Sequence, residues 1–527
     1  MELSWDFPYP SRRMPVLARN VVATSQPLAA QAGLRMLLKG GNAADAAIAA
    51  AITLTVVEPT SNGIGSDAFA IVWDGEKLLG LNSSGRSPCA WTRQRFAGLK
   101  EMPTYGWETV TVPGAVQAWV ALSKRLGKLP FADLFEPAIA YAEHGYAVSP
   151  ITALRWQDAQ ARYPNFAEIN RTFFPGGRAP RPGGAFRCPE QAATLAAIAD
   201  SRGEAFYRGR LAEAIAACAA AEGGAMTLTD LADHRADWVE PVSVDYRGTR
   251  LHELPPNGQG IAALIALGVL HRFEPGRFPV DSADSIHLQV EAMKSAFAEV
   301  FRHVADSEHM RVTPADLLRA DLLAAKAAEI RMDQASRPLA RVPAGGGTVY
   351  LTAADASGMM VSFIQSNYLG FGSGVVIPGT GIAMQNRGCG FVLEEGHPNC
   401  VAGGKRPFHT IIPGFVTRDR KPLMSFGVMG GHMQAQGHVQ MMVRMFDYGQ
   451  NPQTACDAPR WHVAPDLSIA LEPGFAPGVI DELKQKGHRV TTEAPTSRFG
   501  GGQLIYRLDE GYVAASDPRK DGQAVGY

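Results

Sequence analysis

Cysteine is scarce and unpatterned in this sequence. Six residues of 527, Cys89, Cys188, Cys218, Cys389, Cys400 and Cys456, form no CxxC pair and no regular spacing. That excludes a disulfide framework and a thiolate zinc site, and fits a reducing compartment. Charge of one sign is missing too: 50 Lys and Arg against 51 Asp and Glu leave a net charge of -1, so neither nucleic acid nor an anionic membrane is expected as a partner. No apolar run reaches membrane-spanning length; the best, "AADAAIAAAITLTVV" at residues 43 to 57, falls short and holds Asp45. The opening "MELSWDFPYPSRR" sets charge and proline where an export signal has its apolar core, so a cytoplasmic location is expected. There is no HExxH, and His432 and His438 in "GGHMQAQGH" stand six apart, off the spacing of helical metal ligands. No metal and no cofactor are expected.

What remains is enough for a large folded body, since 46% of the residues are hydrophobic. Asn42, a favoured N-cap, starts a buried helix over 43–57 that ends at Glu58-Pro59. "FAIVWDGEKLLGLN" then turns at Asp74-Gly75, a hairpin signal between two strand-like runs. The same pattern returns with turns at 356–358, near 419–421 and at 509–511. Between the first hairpin and the others, residues 115 to 340 are rich in Ala and Leu at helical spacing. Strands, then helices, then strands predict an α+β layered body in which two sheets meet and helices cover the outsides. The cluster of proline and glycine in "RPLARVPAGGG", 337–347, is the best linker candidate.

That linker runs into "AGGGTVYLTAADASG", where a threonine follows three glycines at the mouth of a strand. A threonine hydroxyl is a poor nucleophile until a base takes its proton, and a threonine's own α-amine can be that base if the residue is N-terminal. An α-amine ionises near ~8, far closer to neutrality than a lysine. Thr348 would therefore need the bond after Gly347 to be cut, and glycines at 345 to 347 allow backbone conformations that side chains forbid. On these residues alone, Thr348 as a plain strand-opening residue stays open.

Ten blocks, among them "GGNAADAAIAAAITLTVVEPTSNGIGSDAF", "LPPNGQGI", "GGTVYLTAADASG", "GKRPFHTIIPG", "GVMGGHMQAQGH" and "SDPRKDGQAVGY", occur in an order that resembles the gamma-glutamyltranspeptidase family of N-terminal nucleophile hydrolases. The resemblance runs from about residue 15 to the last. It implies a four-layer αββα sandwich and a precursor cut before Thr348. The products would be a large subunit of residues 1–347 and a small catalytic subunit of residues 348–527, held as a heterodimer; pairing of two heterodimers is left open. By the same resemblance Thr348 is the nucleophile, the amides of Gly430 and Gly431 form the oxyanion hole, Thr352 matches a hydroxyl residue near the nucleophile, and Asn367 contacts substrate. A second threonine follows the nucleophile in the family; Val349 stands there in this chain.

Other positions depart from the family. Ser84 replaces the arginine that holds the glutamate α-carboxylate, with Arg86 two places on. "QNRGCGF" offers Arg387 and Gly390 where glutamine and aspartate are usual, and His409-Thr410 replace a serine pair. Without the aspartate an α-ammonium loses its counter-charge, while Arg387 adds a fork suited to carboxylate. The segment 391–404 is short for a covering lid, which favours water as acceptor. The substrate expected is a small amide bearing a carboxylate and no α-amino group, hydrolysed with Arg387, and Arg86 beside it, on the carboxylate; the oxamate amidohydrolases of the family look like that. A glutathione hydrolase or gamma-glutamyltransferase is the alternative, and a non-enzymatic binding protein on the same fold a second. "LHELPPNGQGIAALIAL" mimics a dinucleotide fingerprint, but Pro255-Pro256 and the lack of a βαβ repeat argue against it.

Overall fold

Among the described residues, fourteen strands form two antiparallel sheets of seven, and shorter strands make small sheets apart from them. The computed structural model describes residues 13–337, 347–492 and 496–527. In chain order the strands are β1 (Val16–Ala18), β2 (Val21–Thr24), β3 (Asp67–Trp73), β4 (Leu78–Ser83), β5 (Asp237–Val239), β6 (Val242–Tyr246) and β7 (Thr249–Glu253). They continue with β8 (Gly347–Ala354), β9 (Met360–Tyr368), β10 (Gly414–Arg418), β11 (Lys421–Val428), β12 (Gly502–Leu508), β13 (Gly511–Ser516) and β14 (Gln523–Gly526). One sheet runs β14-β2-β8-β9-β3-β4-β5 and the other β1-β13-β12-β11-β10-β7-β6.

The four hairpin turns lie where the turn residues place them. Gly75, Gly358 and Gly511 have φ of 110°, 95° and 116°, and Asp419 and Arg420 adopt 51° and 61°. One region corrects the expectation: residues 237–253 are not helical but supply β5, β6 and β7. Helix-rich surroundings hid the alternation of "VSVDYRGTRLHE", whose Arg247-Gly248 turn has two positive φ angles. Most of the proposed linker, residues 338–346 with Gly345 and Gly346, lies outside the described residues.

Seven helices matter to the site and its support: α1 (Pro27–Leu38), α2 (Ala43–Val57), α3 (Ala115–Leu126), α4 (Gly260–Leu270), α5 (Ala283–His303), α6 (Met433–Phe446) and α7 (Pro477–Gln485). α2 begins with a capping box between Asn42 and Asp45 and is buried along its whole length. Three apolar layers follow. α1, α2 and α3 cover the β8 sheet through Ala47, Ile48, Val349 and Leu351. The two sheets meet through Phe69, Tyr350, Ile364, Phe415 and Ile505. α4, α5 and α6 cover the β11 sheet through Leu264, Val290, Phe426 and Val439. The order helix, sheet, sheet, helix is the αββα sandwich, and the loops at one end of β8, β9 and β11 converge on Thr348.

Candidate functional site

Thr348 is the second residue of β8 and only 2% exposed. The ladder with β9 shifts register between Gly347 and Val349, a bulge of the kind that re-aims a side chain at a strand end. Thr348 Oγ1 donates to Gly347 O at 2.7 Å. Ser366 Oγ donates to the same carbonyl at 2.7 Å and accepts from the Tyr368 amide at 2.8 Å. Gln434 Nε2 donates to Thr348 Oγ1 at 3.2 Å, and its Oε1 is held by the Ile412 amide at 3.0 Å. The hydroxyl thus rests against the carbonyl that precedes it, while a second hydroxyl polarises that carbonyl.

Gly430 and Gly431 link β11 to α6 with φ of 115° and 62°, a pair of left-handed conformations that favours glycine. Their carbonyls are committed: Gly430 O accepts from the Met433 amide at 3.1 Å, and Gly431 O from the Gln434 amide at 3.2 Å and Gln259 Nε2 at 2.9 Å. Among the described residues no acceptor pairs with their own N–H groups. Two free amides one residue from the helix that carries Gln434 form a ready anion site.

Thr352, the other hydroxyl named from the family pattern, is placed further along β8. It lies about 13 Å along the strand from Thr348 and shares a 2.6 Å hydrogen bond with Ser425 between the two sheets. Its hydroxyl ties β8 to β11 rather than serving the nucleophile. Arg86 has partners of its own. Its guanidinium donates to Asp306 Oδ2 at 3.0 Å and Gly404 O at 3.1 Å, is 37% exposed, and lines a separate cavity of about 270 Å³ with Asp230, His234 and Arg406. Asp306 supplies the counter-charge that draws it there. Ser84 is fully buried in a side-chain network with Asn82 and Asn257.

Arg387 opens a short 3-10 turn, Arg387–Gly390. It is 1% exposed, and its Nη1 donates to Thr410 Oγ1 at 2.7 Å. Nε and Nη2 are buried and have no hydrogen-bond partner among the described residues. These two nitrogens share one edge of the guanidinium, the edge that grips a carboxylate with two parallel hydrogen bonds. The guanidinium lies 4.7 Å over the Tyr368 ring, and the Tyr368 backbone is the register partner of Gly347. Asn367 Oδ1 accepts from Ser66 Oγ at 2.8 Å, and its buried Nδ2 is unpaired as well.

Behind Arg387 sits Asp67, which sequence reasoning missed. Its Oδ1 accepts from the amides of Gly85 and Gly114, and its Oδ2 lies 3.1 Å from His409 Nε2. Both glycines are required by close approach: a Cβ on Gly85 would sit 1.5 Å from Val112 O and one on Gly114 1.6 Å from Ser83 O. Burial pushes the Asp67 carboxyl up to about 7, opposed chiefly by the charge of Arg387. Burial pulls the Arg387 guanidinium down to about 10, with Asp67 opposing. His409 is held well below its ordinary value by burial and by Arg387. It is therefore neutral, accepting from the Ile411 amide at Nδ1 and donating to Asp67 from Nε2. Ser366, Gln434 and Gln259 were missed too; only their polarity inside otherwise apolar or glycine-rich blocks marked them.

Elsewhere, His287, Glu291 and His488 gather within 4.8 Å. Lys294 Nζ donates to His488 Nδ1, His488 Nε2 meets His287 Nδ1 at 2.8 Å, and His287 Nε2 meets Arg331 O at 2.8 Å. Every ring nitrogen is used, and an ammonium 2.9 Å from Glu291 competes with any cation there.

The comparison with known proteins converges on one group. A sequence profile described as gamma-glutamyltranspeptidase matches residues 29–527. The chain belongs to the gamma-glutamyltranspeptidase family. As a member it is an enzyme, an autoprocessed amide hydrolase of the N-terminal nucleophile type that acts on small-molecule amides. It is 37% identical to the oxamate amidohydrolase proenzyme of Klebsiella pneumoniae, over 97% of this chain and 99% of that one. It is 36% identical to the glutathione hydrolase-like YwrD proenzyme of Bacillus subtilis, over 96% and 98% of the two chains. The crystal structure of a cephalosporin acylase from Bacillus halodurans superposes with a TM-score of 0.96 at 49% identity, covering 100% of this chain and 99% of that one. No helix among the described residues is long and apolar enough to cross a membrane.

Proposed function

We propose that this family member cuts itself before Thr348 and then hydrolyses amides whose acyl part ends in a carboxylate. The observation that carries the substrate class is the unpaired Nε and Nη2 edge of buried Arg387, because a buried guanidinium edge left without acceptors is costly unless an anion fills it. In self-processing, Thr348 Oγ forms a bond to the Gly347 carbonyl carbon, the peptide C–N bond breaks, and the hydroxyl proton ends on the freed amine. Water then splits the ester, leaving a Gly347 carboxylate and an N-terminal Thr348. In turnover the α-amine takes the Oγ proton as Oγ attacks the substrate carbonyl, and the amides of Gly430 and Gly431 hold the developing oxyanion. The leaving amine departs with that proton, and water releases the acid.

Arg387, steadied by Thr410 and Tyr368, would hold the carboxylate, with the free Nδ2 of Asn367 as a second donor. Asp67 does not replace the acidic group that an α-ammonium needs, since its oxygens already accept from Gly85, Gly114 and His409. A carboxylate-ended acyl group fits the oxamate that the amidohydrolase relative is named for. Intact-mass analysis of the purified chain beside Thr348→Ala, followed by turnover of oxamate, succinamate, glutaramate and glutamine, tests the reading. Two fragments dividing before Thr348, absent in the variant, with the α-amino-free amides favoured, are expected. An uncut wild-type chain, or glutamine favoured over all the others, would overturn it.

A further inference from the structure

Gln259 is the N-cap of α4, fully buried, and none of its polar atoms is idle. One hydrogen of its Nε2 goes to Thr410 O at 2.6 Å and the other to Gly431 O at 2.9 Å. Its Oε1 accepts from His432 Nδ1 at 3.0 Å. Burial takes His432 down to about 3, so that ring is neutral and the Nδ1 hydrogen fixes its tautomer. The Gln259 backbone is stitched to the same neighbourhood: its amide donates to His409 O at 2.9 Å, and the His409 amide donates to Asn257 O at 2.9 Å.

One side chain therefore touches three separate parts of the site. Thr410 is the residue that anchors Arg387. Gly431 belongs to the loop with free amides, and His432 is the N-cap of the helix that delivers Gln434 to Thr348. We infer that Gln259 is a positioning residue that sets the carboxylate clamp and the oxyanion loop at one fixed separation. The inference rests on the reading of Thr348 as nucleophile and Gly430–Gly431 as oxyanion donors. Gln259 holds Gly431 O and so pins the Gly431–His432 peptide, which adjoins the peptides that carry the two free amides, and this limits how far the loop can turn. An error of about 1 Å in such a placement costs on the order of a hundredfold in rate. Leucine fills the same volume with no donors. Glutamate keeps the shape but supplies a donor only while protonated, which burial prolongs toward higher pH.

The test compares wild type with Gln259→Leu and Gln259→Glu, each checked for folding by thermal melting. Hydrogen exchange of the backbone over 429–434 is read without substrate, and kcat and KM for a carboxylate-bearing amide are followed between pH 5 and 9. Expected are at least tenfold faster loop exchange in Gln259→Leu and a fall in kcat of about a hundredfold. The Gln259→Glu rate should lie well above that of Gln259→Leu at low pH and converge on it at high pH. Loop exchange within twofold of wild type overturns the inference, as do equal rates for the two variants at every pH. If the leucine variant does not fold, exchange and the pH profile of the glutamate variant decide alone. Exchange that changes as expected while wild type turns over none of the amides would strike the substrate reading and leave the positioning role standing.

Discussion

The Thr348 end and the Arg387 end of the site treat their side chains in opposite ways. At the first, the side chains of Thr348, Ser366 and Gln434 all have partners within 3.3 Å, and only backbone amides are free. At the second, Arg387 and Asn367 keep buried donors unpaired. Bond-breaking chemistry needs groups fixed before the substrate arrives. Recognition needs vacancies that the substrate completes, and a ligand lacking the matching acceptor leaves them unpaired.

Removing the vacancy should have the largest effect on that contrast. Arg387→Ala is expected to lower kcat/KM for carboxylate-bearing amides about 10- to 100-fold, mostly through KM, while self-cleavage stays intact by mass. Arg86→Ala, whose charge is spent on Asp306, should change kcat/KM less than about threefold. Equal losses would erase the distinction between the two arginines.

Asp67 sharpens the comparison through pH. Its folded value near 7 lies above the ordinary 3.8, so it carries its proton below neutrality and leaves Arg387 free for a substrate carboxylate. As pH rises through about 7 the carboxyl ionises and competes for the same charge. KM for carboxylate-bearing amides should therefore rise at least about threefold between pH 6 and 8, and Asp67→Asn should flatten the rise. The stability sign follows the same way. Between about pH 4 and 7 the folded chain holds a proton the unfolded chain has lost, so the contribution of Asp67 to stability declines as pH climbs across that window.

The smallest effect concerns Thr352. Thr352→Val strands the buried Ser425 hydroxyl and is expected to cost about 1 to 2 kcal/mol in denaturant unfolding, measured in the uncut Thr348→Ala chain. In the cleavable chain, activity should stay within about twofold.

The layers were legible in the sequence, and Thr348 stood out as a candidate, because both rest on local signals: period-two runs closed by Asp-Gly or Gly turns, and glycines before a hydroxyl. Arg387 and Thr410 were legible as departures from a family pattern, yet their contact was not. The partners of Arg86 and Thr352 were not legible, since nearness in sequence says nothing about which distant partner draws a long side chain or which face a strand buries. Asp67, Ser366 and Gln259 owe their roles to contacts hundreds of residues away or across a sheet, as in the 342-residue separation of Asp67 from His409. No local pattern encodes such contacts.

The register of β8 has one more consequence. The Thr348 hydroxyl and the Gly347 carbonyl are neighbours along the chain, but the Ser366 hydroxyl reaches that carbonyl only because β8 lies beside β9, with Gly347 opposite Tyr368. A chain whose central sheet has not closed lacks the Ser366 and Gln434 contacts at that bond, and is expected to release the amine far more slowly. Cleavage before Thr348 would then act as a checkpoint on folding, with misassembled copies chemically silent.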